Sequence, residues 1–445
     1  MKLSFLKEKR ILILGFGREG KDTLLFLRKI FPEKQIGIAD KLEIKNLKLE
    51  IKDYKKIKWY FGKDYLKAID DYDIIIKSPG IPIHLPEIEK AKKEKKLTSQ
   101  TEIFFENCPG MIIGITGTKG KSTTTSLIYK VLKNGGIKAH LVGNIGKPVL
   151  SSLLKASQKD VFVYELSCHQ LWNLKHSPHI AVFLNLYPEH LDYYKSFQEY
   201  ARAKANICLW QTKDDFLIYN AKDENVKKFA KKSKAKKVAL KNYSNTIKNV
   251  GIKKIPLIGE HNLLNISAAI EVGKIFKIQN KKIKEAVENF KPLHHRLELV
   301  GTFKDITFYN DSLATIPETT IAAIDAFGNK AETIILGGYD RNLSFKKLAE
   351  KVLNSGIKTV ILFPTTGEKI WKDIEKLSKV QKLSNLPQHF FVDNMKDAVK
   401  LAFENTHKGK VCLLSCASSS FSLFRDYKEK GNLFKKWVRC YGNLK

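Results

Sequence analysis

The chain has 445 residues, of which 43% are hydrophobic and 28% charged, a length that exceeds one ordinary core and implies two to four globular domains. No uninterrupted apolar stretch approaches membrane-spanning length, and six scattered cysteines without a CxxC pair fit a reduced, cytoplasmic enzyme better than a disulfide framework or a zinc site. The net charge of +33 comes mostly from lysines in runs such as KKEKK (92–96) and KKSKAKK (231–237); without clustered arginine or interleaved aromatics it reads as a solvated surface that attracts small anions, not a specific nucleic-acid interface.

In chain order, the first elements read strand–turn–helix–strand: ILILGFGREGKDTLLFLRKIF, then QIGIAD. The short apolar run ILIL leads into a glycine turn, which is not the pattern of a signal peptide. Gly15, Gly17 and Gly20 form a GxGxxG between strand and helix, and Asp40 ends the next strand. This is the arrangement in which glycines and a helix N-terminus hold a pyrophosphate; a tight turn needing glycine only for packing is the alternative. DYDIIIKSPGIP (71–82) adds a strand ending in Ser-Pro-Gly, a second loop at the same sheet edge.

A new strand–loop–helix begins after Lys95–Gln100. Met111, Ile112 and Ile113 run into GITGTKGKSTTT (114–125). Gly117 and Gly120 let backbone N–H groups approach an anionic oxygen, and the following helix N-terminus adds partial positive charge. Lys121 can reach terminal phosphates and the Ser122 hydroxyl can ligate Mg²⁺. Only two residues separate the glycines, fewer than in the common phosphate loop, so the segment predicts a nucleoside triphosphate site of unusual spacing.

Two apolar strands follow, VFVYEL (161–166) and IAVFLNL (180–186). Glu165 at the end of the first suits a second Mg²⁺ ligand, since hard cations prefer oxygen. NLYPEHLDYY (185–194) supplies His190 and Asp192, and Lys204 lies on a helix in FQEYARAKANI. A lysine-rich, turn-rich connection is expected between about Ala221 and Pro256, then a helix, HNLLNISAAIEVGKIF. A third region starts near Phe290–His295, with strands TFYND (307–311), TIILGG (333–338), TVILF (359–363) and VCLLS (411–415) alternating with helices. The expected fold is α/β with three domains and largely parallel sheets: a Rossmann-like N-terminal domain (1–98), a central P-loop-type ATPase domain (99–290) and a C-terminal Rossmann-like domain (291–445).

In order and spacing, TGTKGKST, YELS, NLYPEHLD and ARAK resemble the Mur ligases, and the likeness runs from GFGREGKD to LLSCASSSFSLFRDYKEKGNLF, nearly the whole chain. SPGI (78–81), HHRLE (294–298), YNDSLAT (309–315) and LGGYDR (336–341) are most similar to the branch of that family that adds glutamate. The resemblance implies an ATP-dependent ligase of cytoplasmic peptidoglycan-precursor synthesis, read as a monomer, that adds D-glutamate to UDP-N-acetylmuramoyl-L-alanine through an acyl phosphate. It assigns Gly15, Arg18, Glu19, Asp40, Ser78, Gly80, Asn144 and Ser167 to the UDP substrate. Gly117, Thr118, Lys119, Gly120, Lys121, Ser122, Thr123, Asn262, Asn265, Arg296 and Asp311 go to ATP. Ser122 and Glu165 would hold one Mg²⁺ and His190 a second, with Lys204 matching a lysine that the family carbamylates. Lys121, His190, Lys204 and Arg296 would be catalytic, and Thr315, Arg341, Ser420, Phe421 and Tyr427 would hold glutamate.

Three positions depart from the pattern: Leu313 stands where the D-glutamate enzymes commonly carry lysine, Arg341 replaces a lysine of some members, and Ser415-Cys416-Ala417 replaces Ser-Pro-Ala. These keep an L-glutamate-adding relative open. An NAD-dependent oxidoreductase, from GxGxxG and Asp40, leaves TGTKGKST, Glu165 and Lys204 unexplained, and a nucleic-acid-stimulated ATPase, from the charge, should show turnover that rises with added polynucleotide.

Overall fold

A computed structural model describes residues 3–42, 56–383, 385–421 and 423–443. The first sheet contains β1 (Ile11–Leu14), β2 (Ile36–Asp40), β3 (Ile57–Phe61), β4 (Ile74–Lys77) and β5 (Leu97–Thr98), ordered β3-β2-β1-β4-β5 with every pair parallel. All four residues of β1 are buried because both faces of a parallel sheet are covered. Ile11 and Ile13 pack with Leu24 and Leu27 of the helix Arg18–Ile30, whereas Leu12 and Leu14 pack with Ile69 and Ile88 on the other face. Strand order reverses between β1 and β4, which leaves a crevice at their carboxyl ends, where the Gly15 and Ser78 loops emerge.

The second sheet contains β6 (Met111–Thr116), β7 (Ala139–Gly143), β8 (Val161–Glu165), β9 (Ile180–Phe183), β10 (Phe216–Asn220) and β11 (Lys236–Leu240), ordered β11-β10-β9-β6-β8-β7 and again parallel. Ile115 pairs with Glu165 and Thr116 with Phe183. The phosphate loop, Glu165 and the chain leading to His190 therefore leave the sheet side by side. Asp22, on the helix behind the first sheet, ties the two sheets' surroundings together. Its carboxylate accepts from Gln100 Nε2 at 2.8 Å, from Leu150 N at 3.1 Å and from the Ser151 hydroxyl.

The segment expected to be a turn-rich connection instead holds the helix Glu224–Ala230, β11 and the helix Tyr243–Asn249. In β11 only Leu240 is buried and two lysines face outward. Lysines are ordinary on an edge strand, and they mask its apolar pattern. Asp223 and Asn242 cap the two helices through their side chains, a start signal that was present in the sequence.

Contacts within the chain define two compact units: Met1–Lys254 with Leu263–Phe290, and Ile255–Asn262 with Lys291–Lys445. The first unit carries both sheets above. The second carries β12 (Glu298–Phe303), β13 (Ile306–Asn310), β14 (Ala331–Gly337), β15 (Thr359–Phe363), β16 (Gln388–Phe391) and β17 (Val411–Leu414), ordered β12-β13-β17-β14-β15-β16. Only the β12–β13 pair is antiparallel. The carboxyl ends of β13, β17 and β14 are neighbours, and Asp311 N donates to Leu414 O at 2.8 Å. Among the described residues no helix is long and apolar enough to cross a membrane.

Candidate functional site

The phosphate loop is shaped by its glycines and by Asn265. Gly120 has φ +84°, and a Cβ there would lie 2.5 Å from Asn265 Oδ1, which itself accepts from Thr124 Oγ1 at 3.0 Å. Only glycine meets both the left-handed backbone and the close approach. Thr118 N donates to Asn185 O (3.0 Å), and Lys119 N to Asn185 Oδ1 (2.8 Å), so the segment just after β9 anchors the loop. Lys119 Nζ pairs with Glu189 at 2.6 Å. Lys121 Nζ curls back to donate to the carbonyls of Gly117 and Thr118, each at 3.0 Å. Ser122 and Thr123 are buried in the first turn of the helix Lys121–Asn134.

Glu165 is 1% exposed. Its Oε1 accepts from Asn144 Nδ2 at 3.0 Å, while Oε2 has no hydrogen-bond partner. A buried carboxylate oxygen without a partner is costly, and a hard divalent cation is the group that satisfies it; the donor set of Glu165 and Ser122 fits Mg²⁺. His190 sits at φ +58°, a conformation uncommon outside glycine and worth reading as a functional constraint. Its carbonyl fixes it there by accepting from Tyr193 N and Tyr194 N, both at 3.0 Å. Burial and the nearby Lys204 charge hold its imidazole below the ordinary histidine range. Lys204 is 1% exposed and donates to Gly117 O at 2.8 Å. Burial, with the charge of Lys121, pushes its ammonium down to about 7.

At the crevice of the first sheet, a cavity of ≈ 390 Å³ is lined by Gly15, Arg18, Asp40, Ser78, Gly80 and Asn144, among others. Ser78 Oγ donates to Gly15 O at 2.7 Å. Asp40 accepts from Phe16 N at 2.6 Å and Leu42 N at 2.9 Å, so its carboxylate already braces the glycine loop. Arg18 reaches across to the carbonyls of Asn144, at 3.3 Å, and Gly146. Glu19, also on the cavity wall, accepts from Gln170 at 2.6 Å; burial raises its carboxyl to about 7. Ser167 is engaged otherwise: its Oγ accepts from Gln170 N at 3.2 Å in a capping box for the short helix Cys168–Leu171.

Sequence reasoning missed Lys77 here. Its buried ammonium donates to Ser78 O at 3.1 Å, lies 5.5 Å from the Trp172 ring, and is pushed down to about 8 by burial. A lysine closing the all-apolar strand IIIK was the available signal.

In the second unit, Arg296 lies between two left-handed residues, His295 (φ +66°) and Leu297 (φ +42°). Leu297 N donates to Asp311 Oδ1 at 3.2 Å, and Ser415 Oγ to Asp311 Oδ2 at 2.8 Å. Burial raises the Asp311 carboxyl to about 7, against these hydrogen bonds and the charges of Arg296 and Lys430. Arg341 lies 6.0 Å over the Phe421 ring, whose outer face is exposed. Ser420 Oγ is buried with no hydrogen-bond partner. Tyr427 starts the last helix, and its carbonyl accepts from Ser312 Oγ at 2.9 Å. Thr315 stands two residues before Pro317 opens the helix Pro317–Phe327, and Leu313 N donates to His295 O at 3.2 Å. Asn262 Nδ2 donates to Ile258 O at 2.7 Å.

Two family descriptions match this chain: "Mur ligase middle domain" over residues 115–273, and "Mur ligase, glutamate ligase domain" over 295–418. A UDP-N-acetylmuramoylalanine--D-glutamate ligase of Acetivibrio thermocellus is 34% identical over 456 residues, covering 97% of each chain. The enzyme of the same name from Clostridium botulinum Loch Maree is 34% identical over 454 residues, covering 98% of this chain and 97% of its own. Among solved structures, the fold resembles a UDP-N-acetylmuramate-alanine ligase of Thermotoga maritima (TM-score 0.58, 18% identity, 98% and 99% coverage). It also resembles a MurF ligase of Thermotoga maritima, solved in complex with ADP (TM-score 0.60, 15% identity, 98% and 97% coverage).

Proposed function

The chain belongs to the Mur ligase family, and from that premise we propose that it joins D-glutamate to UDP-N-acetylmuramoyl-L-alanine at the expense of ATP, in cytoplasmic peptidoglycan-precursor synthesis. Two relatives of that name, alike over nearly the full chain, support the substrate pair. The observation that carries the chemistry is the meeting of Lys204 with the phosphate loop at Gly117, with the orphaned Glu165 oxygen at the end of the strand paired to the one that leads into that loop. In this reading residues 1–98 bind the UDP substrate, 99–290 bind ATP and 291–445 bind glutamate.

Forming an amide in water requires an activated acyl group. The alanyl carboxylate attacks the γ-phosphorus of ATP, forming an acyl–phosphate bond and releasing ADP. The glutamate amine then attacks the acyl carbon, loses a proton, and the tetrahedral intermediate collapses to amide and inorganic phosphate. Such transfer depends on positioning and charge neutralisation. Lys121, now folded onto its own loop, swings to the phosphates, where its ammonium offsets developing charge. Ser122 and Glu165 would hold one Mg²⁺, and His190 with a carbamate on Lys204 a second, each neutralising phosphate oxygens when bound. Arg296, Asp311, Asn262 and Asn265 are assigned to ATP, and Thr315, Ser420, Phe421, Tyr427 and the Arg341 fork to glutamate and its carboxylates.

The oxidoreductase reading gives no role to the phosphate loop, to the orphaned Glu165 oxygen or to the buried Lys204. The assignment is tested with Lys121→Ala. Loss of ADP formation with retained UDP-substrate binding, measured by calorimetry, is expected; loss of both would place the two ligands wrongly.

A further inference from the structure

Two soft donors without a task in the proposed reaction, Cys168 and His169, meet His190, which that reaction assigns to a Mg²⁺. Cys168 Sγ, a ring nitrogen of His169 and a ring nitrogen of His190 all lie within 4.8 Å of one another. Cys168 is 2% exposed. It and His169 are held in place by the Ser167–Gln170 capping box, and Gln170 is tied in turn to Glu19. The His169 ring packs 4.2 Å from Tyr193 and parallel to Tyr194, whose hydroxyl is 3.4 Å from Nδ1. The His190 ring stands 4.9 Å from that of His169. Both backbones are thus fixed, and the third donor comes from a different loop, as in a built coordination site.

We propose that Cys168, His169 and His190 form a binding site for zinc, distinct in chemistry from the oxygen-lined Mg²⁺ positions. Thiolate and imidazole are borderline-soft donors that suit Zn²⁺, whereas Mg²⁺ takes oxygen ligands. Bonds of about 2.0–2.3 Å in a tetrahedron put donors roughly 3.5 Å apart. The donors already lie within 4.8 Å of one another, so closing to that tetrahedral spacing moves them by about 1 Å at most. Three protein ligands leave the fourth position to water. On binding, the thiol proton goes to solvent and the S–Zn bond replaces S–H. Zinc so held removes His190 from the phosphate-directed Mg²⁺, so it inhibits ligation. That second consequence rests on the proposed function, while the binding itself does not.

The test uses the full chain, metal-free and then equilibrated with millimolar Mg²⁺. Zinc stoichiometry is measured by chelator competition and thiolate ligation by the charge-transfer absorption of added Co²⁺. The expected result is one zinc per chain and a thiolate–cobalt band that disappears in Cys168→Ser. The loss of affinity should be no smaller than the about 10–100-fold that losing an outer-shell partner costs. Cys168→Ser should keep the Mg²⁺-supported rate and resist zinc at concentrations that stop the parent protein. His169→Phe should behave likewise. Absence of the band in the parent protein, or equal zinc inhibition of Cys168→Ser, overturns the proposal. If the band is present but no ligation occurs with Mg²⁺ alone, the metal site stands and the ligase reading falls.

Discussion

Lys204 should take up carbon dioxide at neutral pH, because the fold keeps its amine unprotonated. The side chain is 1% exposed, and burial with the adjacent Lys121 charge lowers its pKa to about 7. At pH 7.5 roughly three quarters of such an amine is neutral, against about one in a thousand for a lysine of ordinary pKa. The free nucleophile is therefore several hundred-fold more abundant, at about 1.4 kcal/mol for each tenfold. Its attack on CO₂ forms an N–C bond, releases a proton and leaves a carbamate. The buried neutral amine thereby becomes an anion near His190, as the proposed second Mg²⁺ position requires.

The assay is ¹³C NMR of the protein in labelled bicarbonate between pH 6 and 9. A carbamate resonance should grow in with a midpoint near 7 and be missing from Lys204→Ala. Lys121→Ala removes a charge that depresses the amine, so the midpoint should move upward. Lys204→Ala should also lose ligation and regain part of it with acetate or another short carboxylate. A midpoint near 10, no carbamate at any pH, or full activity without rescue would mean that Lys204 is not carbamylated.

Glu19 offers a stability test with a definite sign. Its carboxyl is raised from 4.5 to about 7 by burial, so the folded state binds more protons between those values and stability falls as pH rises through that window. Glu19→Gln should therefore stabilise by about 3 kcal/mol at pH 8 and by little at pH 4.5, read from urea melts; equal effects at both pH values would exclude a buried carboxylate. Asp22→Ala strands Gln100 Nε2, Leu150 N and the Ser151 hydroxyl, and should cost about 2–4 kcal/mol in the same melts, whereas a change under about 0.5 kcal/mol would mean that water replaces the carboxylate. Gly120→Ala places a Cβ 2.5 Å from Asn265 Oδ1 at a left-handed position. It should weaken ATP binding at least about tenfold by calorimetry with UDP-substrate affinity unchanged; unaltered ATP affinity would show that the loop does not hold phosphate.

Much of this was legible in the chain itself, because the strongest signals are local. An all-apolar ILIL before glycines gives a buried parallel strand and a βα turn, and GTKGKST carries its own helix start. Glu165 at the end of VFVYE reaches the side of the loop only through strand order, in the Ile115–Glu165 pairing, which no local pattern states. What escaped depends on contacts between distant residues. Asp22 looks like a solvated helix position, yet its partners lie 78 and more residues away. Lys77 closes an apolar strand, and its meeting with Trp172 is not a matter of spacing. Cys168, His169 and His190 form no spaced metal motif, since the third donor arrives from the next strand's loop. The edge strand Lys236–Leu240 was hidden by its own lysines.

The hand of the amino acid is the sharpest point of the proposed reaction, given Leu313 and Arg341. Phosphate release should be followed with ATP, Mg²⁺ and UDP-N-acetylmuramoyl-L-alanine, with each glutamate enantiomer in parallel. One phosphate and one UDP-linked dipeptide per turnover are expected with D-glutamate, and neither when the UDP substrate is left out. Turnover with L-glutamate alone, or phosphate release indifferent to the UDP substrate, would contradict it.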